Sequence, residues 1–253
     1  MTNGIFAEHT YARQSTHQRA HGGGVGRGEF SWWKHEAIER AMRRQLPVLA
    51  KMGRGLIIDM HAGDGEPTPH PQPDFWAGGA LITTPHLAIS MADAFGADVW
   101  LCEKSHAARH ALDDRYGGRA RILRNHERLL DELSAIGRCA WTIVLNDPNG
   151  HGQHGVEVMQ RIAKANQHSD FVVVVNHQSI RRHIGVGKSD NTGNAFALAV
   201  EASKEKYAWM VDPDEWAARL GKRHVLATTI MAFSDAMKPQ ILLISNFIPG
   251  YAR

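Results

Sequence analysis

Between residues 56 and 176 the chain alternates five short runs of aliphatic residues with four stretches of helical spacing between them. The apolar runs are LIIDM (56–60), DVWLCE (98–103), ARILR (120–124), WTIVLND (141–147) and FVVVVN (171–176). The stretches between them are PHLAISMADAF (85–95), SHAARHALDDRY (105–116), HERLLDELSAI (126–136) and VEVMQRIAKAN (156–166). Near-continuous apolar runs belong to strands covered on both faces, and a helix between successive strands is the crossover that parallel pairing requires. The expected fold class is therefore α/β, a doubly wound parallel sheet. Near the C-terminus the rhythm breaks. RHVLATTIMAF (223–233) and QILLISNF (240–247) are joined by SDAMKP, too short for a crossover helix, so the two should pair as an antiparallel hairpin. Seven strands result, five parallel plus the hairpin.

Before the first strand, Trp33, Ile38, Met42, Leu46 and Leu49 recur at helical spacing, with Lys34, Arg40, Arg43 and Arg44 largely on the other side. Ser31 is the expected N-cap, and Pro47 should kink or end the helix. Upstream, HTYARQSTHQRAHGGGVGRGEF has too few aliphatic residues to offset the entropy of ordering it. The domain division is thus a flexible basic arm over 1–30 and one domain over 31–253, with loop insertions near 66–80 and 185–210. Arg13, Arg19 and Arg27 in the arm are suited to brushing phosphates, or simply to water.

The chain has 253 residues, 43% of them hydrophobic and 22% charged, enough apolar surface for one full-sized domain. Net charge is +3, too modest to establish a nucleic-acid partner by itself. No apolar run approaches the roughly 20 residues of a membrane span and no signal-peptide centre is seen, so a soluble, cytoplasmic protein with no membrane partner is expected. The two cysteines, Cys102 and Cys139, fall in strand-like runs and suggest buried thiols rather than a disulfide framework.

The chemistry concentrates at strand ends. IIDMHAGDGEP (57–67) places Asp59 at the end of the first strand and then Ala62, Gly63 and Gly65, small residues that let a backbone turn sharply and approach a ligand. Glycines also serve any tight turn, so the loop alone is weak evidence. Glu103 ends the second strand, where a carboxylate can accept both hydroxyls of a ribose. NDPNG (146–150) ends the fourth strand and sets Asp147 and Pro148 at the switch point beside the first.

These residues resemble the class I S-adenosylmethionine-dependent methyltransferases, a Rossmann-like superfamily with five parallel strands, two closing strands of which one is antiparallel, a glycine loop after strand one and an acidic residue after strand two. Within it, IIDMHAGDGEP, ALITTPHLAIS and LNDPNG are similar to the three-Cys-motif partner proteins, over roughly residues 31–247. The resemblance implies S-adenosylmethionine as cofactor. Asp59 would orient the loop or meet the methionine amino group, Gly63 and Gly65 would leave room, and Glu103 would hold the ribose. Asn125 and His126 would lie at the adenine, with His61, Ala62 and Lys104 completing the cofactor set. Asp147, with Pro148 and Asn149, would receive the methyl acceptor, and an amino group on a DNA or RNA base is the first expectation. Three departures stand out. His61 replaces the first glycine of the usual pattern. About fifteen extra residues with four prolines, EPTPHPQPDFWAGGA, precede the next helix, whose N-terminus is then not expected to point directly at the cofactor. Asp-Pro-Asn-Gly also lacks the aromatic that would stack on a flipped base.

Two other readings stay open. An NAD(P)-dependent oxidoreductase is opposed by the missing Gly-x-Gly-x-x-Gly spacing. A non-catalytic partner protein would keep the fold and cofactor and work by binding. Of sixteen histidines, His106 with His110 and His151 with His154 are spaced to share a metal, but neither pair has the third ligand that a site needs, so no metal is expected. His151 could act near the acceptor as a base. Trp32 and Trp33 suit helix packing, and Arg181 and Arg182 in HQSIRRH (177–183) suit a phosphate or solvent.

Overall fold

Aliphatic runs as dense as LIID and FVVVV have no polar face to give to water, and each becomes a strand with a helix layer on either side. The computed structural model describes residues 30–52, 55–66, 83–136, 141–148, 153–175, 180, 208–229 and 240–246. Helix α1 (Phe30–Met52) leads into β1 (Gly55–Asp59). Then come α2 (Thr84–Phe95), β2 (Ala97–Cys102), α3 (His106–Tyr116), β3 (Arg121–Leu123), α4 (His126–Ile136), β4 (Trp141–Asn146), α5 (Gln153–Ala165) and β5 (Ser169–Val175). A 3-10 turn (Ala208–Val211), α6 (Pro213–Arg219), β6 (His224–Thr229) and β7 (Gln240–Ser245) complete the described chain.

The seven strands form one sheet in the order β3-β2-β1-β4-β5-β7-β6. β1 pairs in parallel with β2 on one side and β4 on the other, with Asp59 level with Leu101 and Leu145. β7 runs antiparallel to both β5 and β6, as the short connection requires. This is the seven-stranded Rossmann-like arrangement expected from the sequence.

Alternation along the strands divides the core. Ile57, Leu101, Ile143, Leu145 and Val172 face Ile38 and Met42 of α1, Leu87 and Met91 of α2, and Leu112 of α3. Ile58, Trp100, Val144, Phe171 and Val173 face Leu129 of α4, Met159 and Ile162 of α5, and Trp216 of α6. Cys102 is buried in β2; burial first, and the nearby Asp59 and Glu103 after it, push its thiol to about 12, so it packs rather than reacts.

Two expectations about α1 need correction. The helix begins at Phe30, so Ser31 lies inside it instead of capping it, and Pro47 is carried within a helix that runs on to Met52. Only the preceding turn lacks a donor at Pro47, and packing of Ile38 and Met42 against the sheet holds the rest. The arm, Cys139 and most of both insertions fall outside the described residues. No described helix is long and apolar enough to cross a membrane.

The amino ends of β4 and β5 hold a buried polar cluster. The Trp141 indole N–H donates to Asp170 Oδ2 at 2.6 Å, the Asn166 amide donates to Thr142 Oγ1 at 3.0 Å, and the Lys222 ammonium donates to the Gln167 carbonyl at 3.1 Å. Burial raises the Asp170 carboxyl from 3.8 to about 6, against the opposing hydrogen bonds of Ser245 and Trp141 and the charge of Lys222. A folded state that binds the proton more tightly than the unfolded chain is favoured at low pH. That stabilisation is complete below about pH 4 and is lost as pH rises through about 6. Asp170→Asn keeps an acceptor for Trp141 without the charge. Thermal melts should therefore show the variant gaining on the parent by about 2 kcal/mol between pH 4 and pH 7.5; a difference independent of pH would contradict this account.

Candidate functional site

At the carboxyl end of β1 the chain leaves the sheet but stays bonded to both neighbouring strands: Met60 N–H donates to the Leu145 carbonyl at 3.0 Å and Ala62 N–H to the Cys102 carbonyl at 3.1 Å. Asp59 Oδ1 accepts the His61 N–H at 3.0 Å and closes the turn. The Asp59 side chain is fully buried, and its Oδ2 has no hydrogen-bond partner among the described residues. Burial raises its carboxyl to about 6; the Thr84 side chain and the His61 N–H oppose this, while Asp147 and Glu103 add to it.

The two loop glycines do different work. Gly63 and Gly65 both adopt left-handed φ, 63° and 66°. A Cβ on Gly63 would meet no atom of the described residues within 4 Å, which leaves space beside it among them. One on Gly65 would lie 2.8 Å from the Tyr116 ring and 2.9 Å from Leu112. The Gly65 carbonyl accepts from the Tyr116 hydroxyl at 3.3 Å and the Thr83 hydroxyl at 3.4 Å. Thr83 is the N-cap position of α2. The helix thus begins against the loop despite the proline-rich insertion. A long insertion can return to its starting point at small entropic cost, because closure grows only slowly with length.

Glu103 is bound on both oxygens: Oε2 accepts the Gly63 N–H at 3.1 Å and Oε1 the Ser105 N–H at 2.7 Å. Ser105 in turn caps α3 by accepting from Ala108 N–H. Lys104 is exposed, and its carbonyl accepts from Arg109. Asn125 Oδ1 accepts the Arg128 N–H at 2.9 Å, the geometry of a cap on α4. The sequence reading had not anticipated that role.

His61 points into the protein. Its Nε2–H donates to Asn146 Oδ1 at 3.1 Å, and its ring meets His126 edge to face with centroids 5.2 Å apart. His126 donates from Nε2 to the Met60 carbonyl at 3.1 Å. Burial first, and the neighbouring His126 next, lower the His61 pKa to about 4, so it is neutral. The histidine in place of a glycine thereby ties the β1 loop to the β4 end. Asn146 is buried and packs on Gly155 of α5, where a Cβ would come within 2.6 Å of Oδ1.

Asp147 follows at once, and its Oδ2 pairs with the Lys34 ammonium of α1 at 2.5 Å. His35 beside Lys34 is half-buried, and its Nδ1 is shut off from water with no partner among the described residues; desolvation, then Lys34, lower its pKa to about 4 against the pull of Asp147. Nothing in the sequence singled out Lys34 and His35 beyond their place on an amphipathic helix. Pro148 is half-buried, while Asn149, His151, Arg181 and Arg182 lie outside the described residues. Among the described residues no three His, Cys, Asp or Glu side chains gather as a metal site; His106 and His110 pack ring against ring on α3.

The arrangement joins a glycine turn, a carboxylate that holds it, and a second carboxylate on the adjacent strand. Protein LPL1258 from Legionella pneumophila superimposes on 85% of this chain and 85% of its own, with a TM-score of 0.52 at 12% identity. The two share a seven-stranded Rossmann-like α/β fold. Looser likenesses are the METTL16 methyltransferase domain (TM-score 0.45, 10% identity, 85% of this chain and 68% of that) and TYW2 of P. horikoshii in complex with MeSAdo (0.39, 14%, 79% and 60%). No family model matches the chain, and no curated protein sequence does.

The glycine geometry gives a test. Gly63→Ala should cost about 1 kcal/mol for the left-handed backbone alone, and Gly65→Ala roughly 1–3 kcal/mol more for the crowding against Tyr116 and Leu112. Urea unfolding of the two variants measures both; equal costs would contradict the packing described for Gly65.

Proposed function

We propose that the chain is an S-adenosylmethionine-dependent methyltransferase acting on an amino group of a nucleic-acid base, and that it is a relative of the three-Cys-motif partner proteins. The observation that carries the reading is the placement of the Gly63–Gly65 turn and Asp147 at the carboxyl ends of neighbouring strands β1 and β4, with Glu103 beside them on β2. Ligands of open α/β sheets bind in that crevice.

The residues fit such a cofactor. Asp59 Oδ2 is a buried acceptor without a donor among the described residues, suited to the methionine amino group, and the space beside Gly63 leaves room for the chain beyond it. A carboxylate offers about four lone-pair positions, so Glu103 can keep the Gly63 and Ser105 N–H groups and still accept ribose hydroxyls. Ala62, His61 and Lys104 would border it, and Asn125 and His126 would stand at the adenine. The cofactor supplies an electrophilic methyl group on a sulfonium. Asp147, Pro148 and Asn149 would receive the acceptor: Asp147 accepts an N–H hydrogen bond and aims the nitrogen lone pair at the methyl carbon. With the cofactor held by Asp59, Gly63 and Glu103, the group would supply the methyl carbon and keep the electron pair of the broken bond on sulfur, while Asp147 would steady the acceptor nitrogen as it loses its N–H proton to water.

A nucleic-acid substrate is favoured by a groove along the open edge of β3, lined by Arg121, Arg124 and Arg128, next to Asn125. Glu132 pairs with Arg121 and Arg128, which holds both guanidinium groups in place and leaves donors for phosphates. Radiolabelled methyl transfer to single-stranded RNA and DNA tests the proposal. Asp147→Ala should lower transfer by about a hundredfold or more while the affinity for S-adenosylmethionine stays within about threefold. Undiminished transfer by the variant would remove Asp147 from the acceptor site.

A further inference from the structure

Lys34 stands where nothing in the glycine loop or the Asp-Pro motif asks for a cation. It comes from α1, which packs on β1, β4, β5 and β7, and its ammonium sits on Asp147 Oδ2 at 2.5 Å. The two side chains are only 14% and 13% exposed, so water screens the pair weakly. Asp147 Oδ1 makes no described hydrogen bond or ion pair. Three carboxylates, Asp59, Glu103 and Asp147, gather at these strand ends, and the negative charge of the other two helps to raise Asp59. The two nearby histidines, His35 and His61, are held neutral and do not offset that charge. Lys34 does.

We propose that Lys34 is a positioning residue that selects the acceptor: it fixes Asp147 through Oδ2, leaves Oδ1 for the incoming nitrogen, and offsets the negative charge of that carboxylate. The proposal rests on the methyltransferase reading. Its consequence is a preference between two classes of amine. An aromatic amino group, as on a nucleobase, is uncharged near neutral pH and brings both its N–H donors and its lone pair. An alkylammonium, as on a lysine side chain, must share one carboxylate with a cation already seated there, and like charges so placed repel. It also has no lone pair until it loses a proton. Lys34 would therefore admit the first and refuse the second.

The test compares the full-length parent, Lys34→Met and Lys34→Arg on two probes, a single-stranded oligonucleotide containing adenine and cytosine and a lysine-containing peptide. Transfer kinetics are measured for each, and probe affinity is measured separately with S-adenosylhomocysteine present. Lys34→Met should lower kcat on the oligonucleotide by about tenfold with KM within about threefold, and Lys34→Arg should recover most of the loss. Peptide affinity should rise by about tenfold in Lys34→Met, where Asp147 is left without a cation. A loaded, active chain in which Lys34→Met changes neither kcat nor peptide affinity would overturn the acceptor role alone, as would a parent that methylates the peptide in preference to the oligonucleotide. A parent that binds no S-adenosylmethionine would overturn the methyltransferase reading and this role with it. Should Lys34→Met fail to fold, Lys34→Gln keeps length and polarity without charge and carries the same expectations.

Discussion

The hydrogen bond from Gly63 N–H to Glu103 Oε2, 3.1 Å long, joins the two strand ends on which everything else at this site is built. β1 is central in the sheet, flanked by β2 and β4, so its chain can leave only at the carboxyl edge and must turn at once. Two left-handed glycines make that turn, Asp59 closes it, and Glu103 keeps it from collapsing onto α3. The same carboxylate holds Ser105, which starts α3, so the helix, the loop and the acidic strand end are set by one side chain. Without it, the Gly63 and Ser105 amides would lose their acceptor and the loop would have little to define it.

A second linkage runs across the crevice through His61. A glycine at that position would leave Asn146 without a donor; the neutral imidazole supplies one and packs its ring on His126. Loop, acceptor strand and the start of α4 are thereby coupled. The departure from glycine at position 61 is, in the fold, a structural tie between the β1 loop and the end of β4.

The sheet was legible because its signals are local. Five aliphatic runs and four helical stretches carry their period within about ten residues each, and SDAMKP is too short for anything but a hairpin. The strand-end residues Asp59, Glu103 and Asp147 followed from the strands. What was not legible depends on pairs distant in sequence. Lys34 read as one polar residue on a helix, and only the packing of α1 over β4 brings it to Asp147. Asn125 read as a base contact because its place after β3 suggested one; its capping bond to Arg128 N–H becomes visible only with the start of α4. One proline signal misled: Pro47 did not stop α1, whose apolar face is held by the core.

The central claim is that the β1 loop and Glu103 form a pocket for S-adenosylmethionine. Isothermal titration of the full chain with S-adenosylmethionine, S-adenosylhomocysteine and NAD tests it most directly. The account predicts dissociation constants on the order of micromolar for the first two, no measurable heat with NAD, and weakening by about tenfold or more in Glu103→Ala. Binding of NAD instead, or affinity for S-adenosylmethionine unchanged by the loss of Glu103, would contradict it.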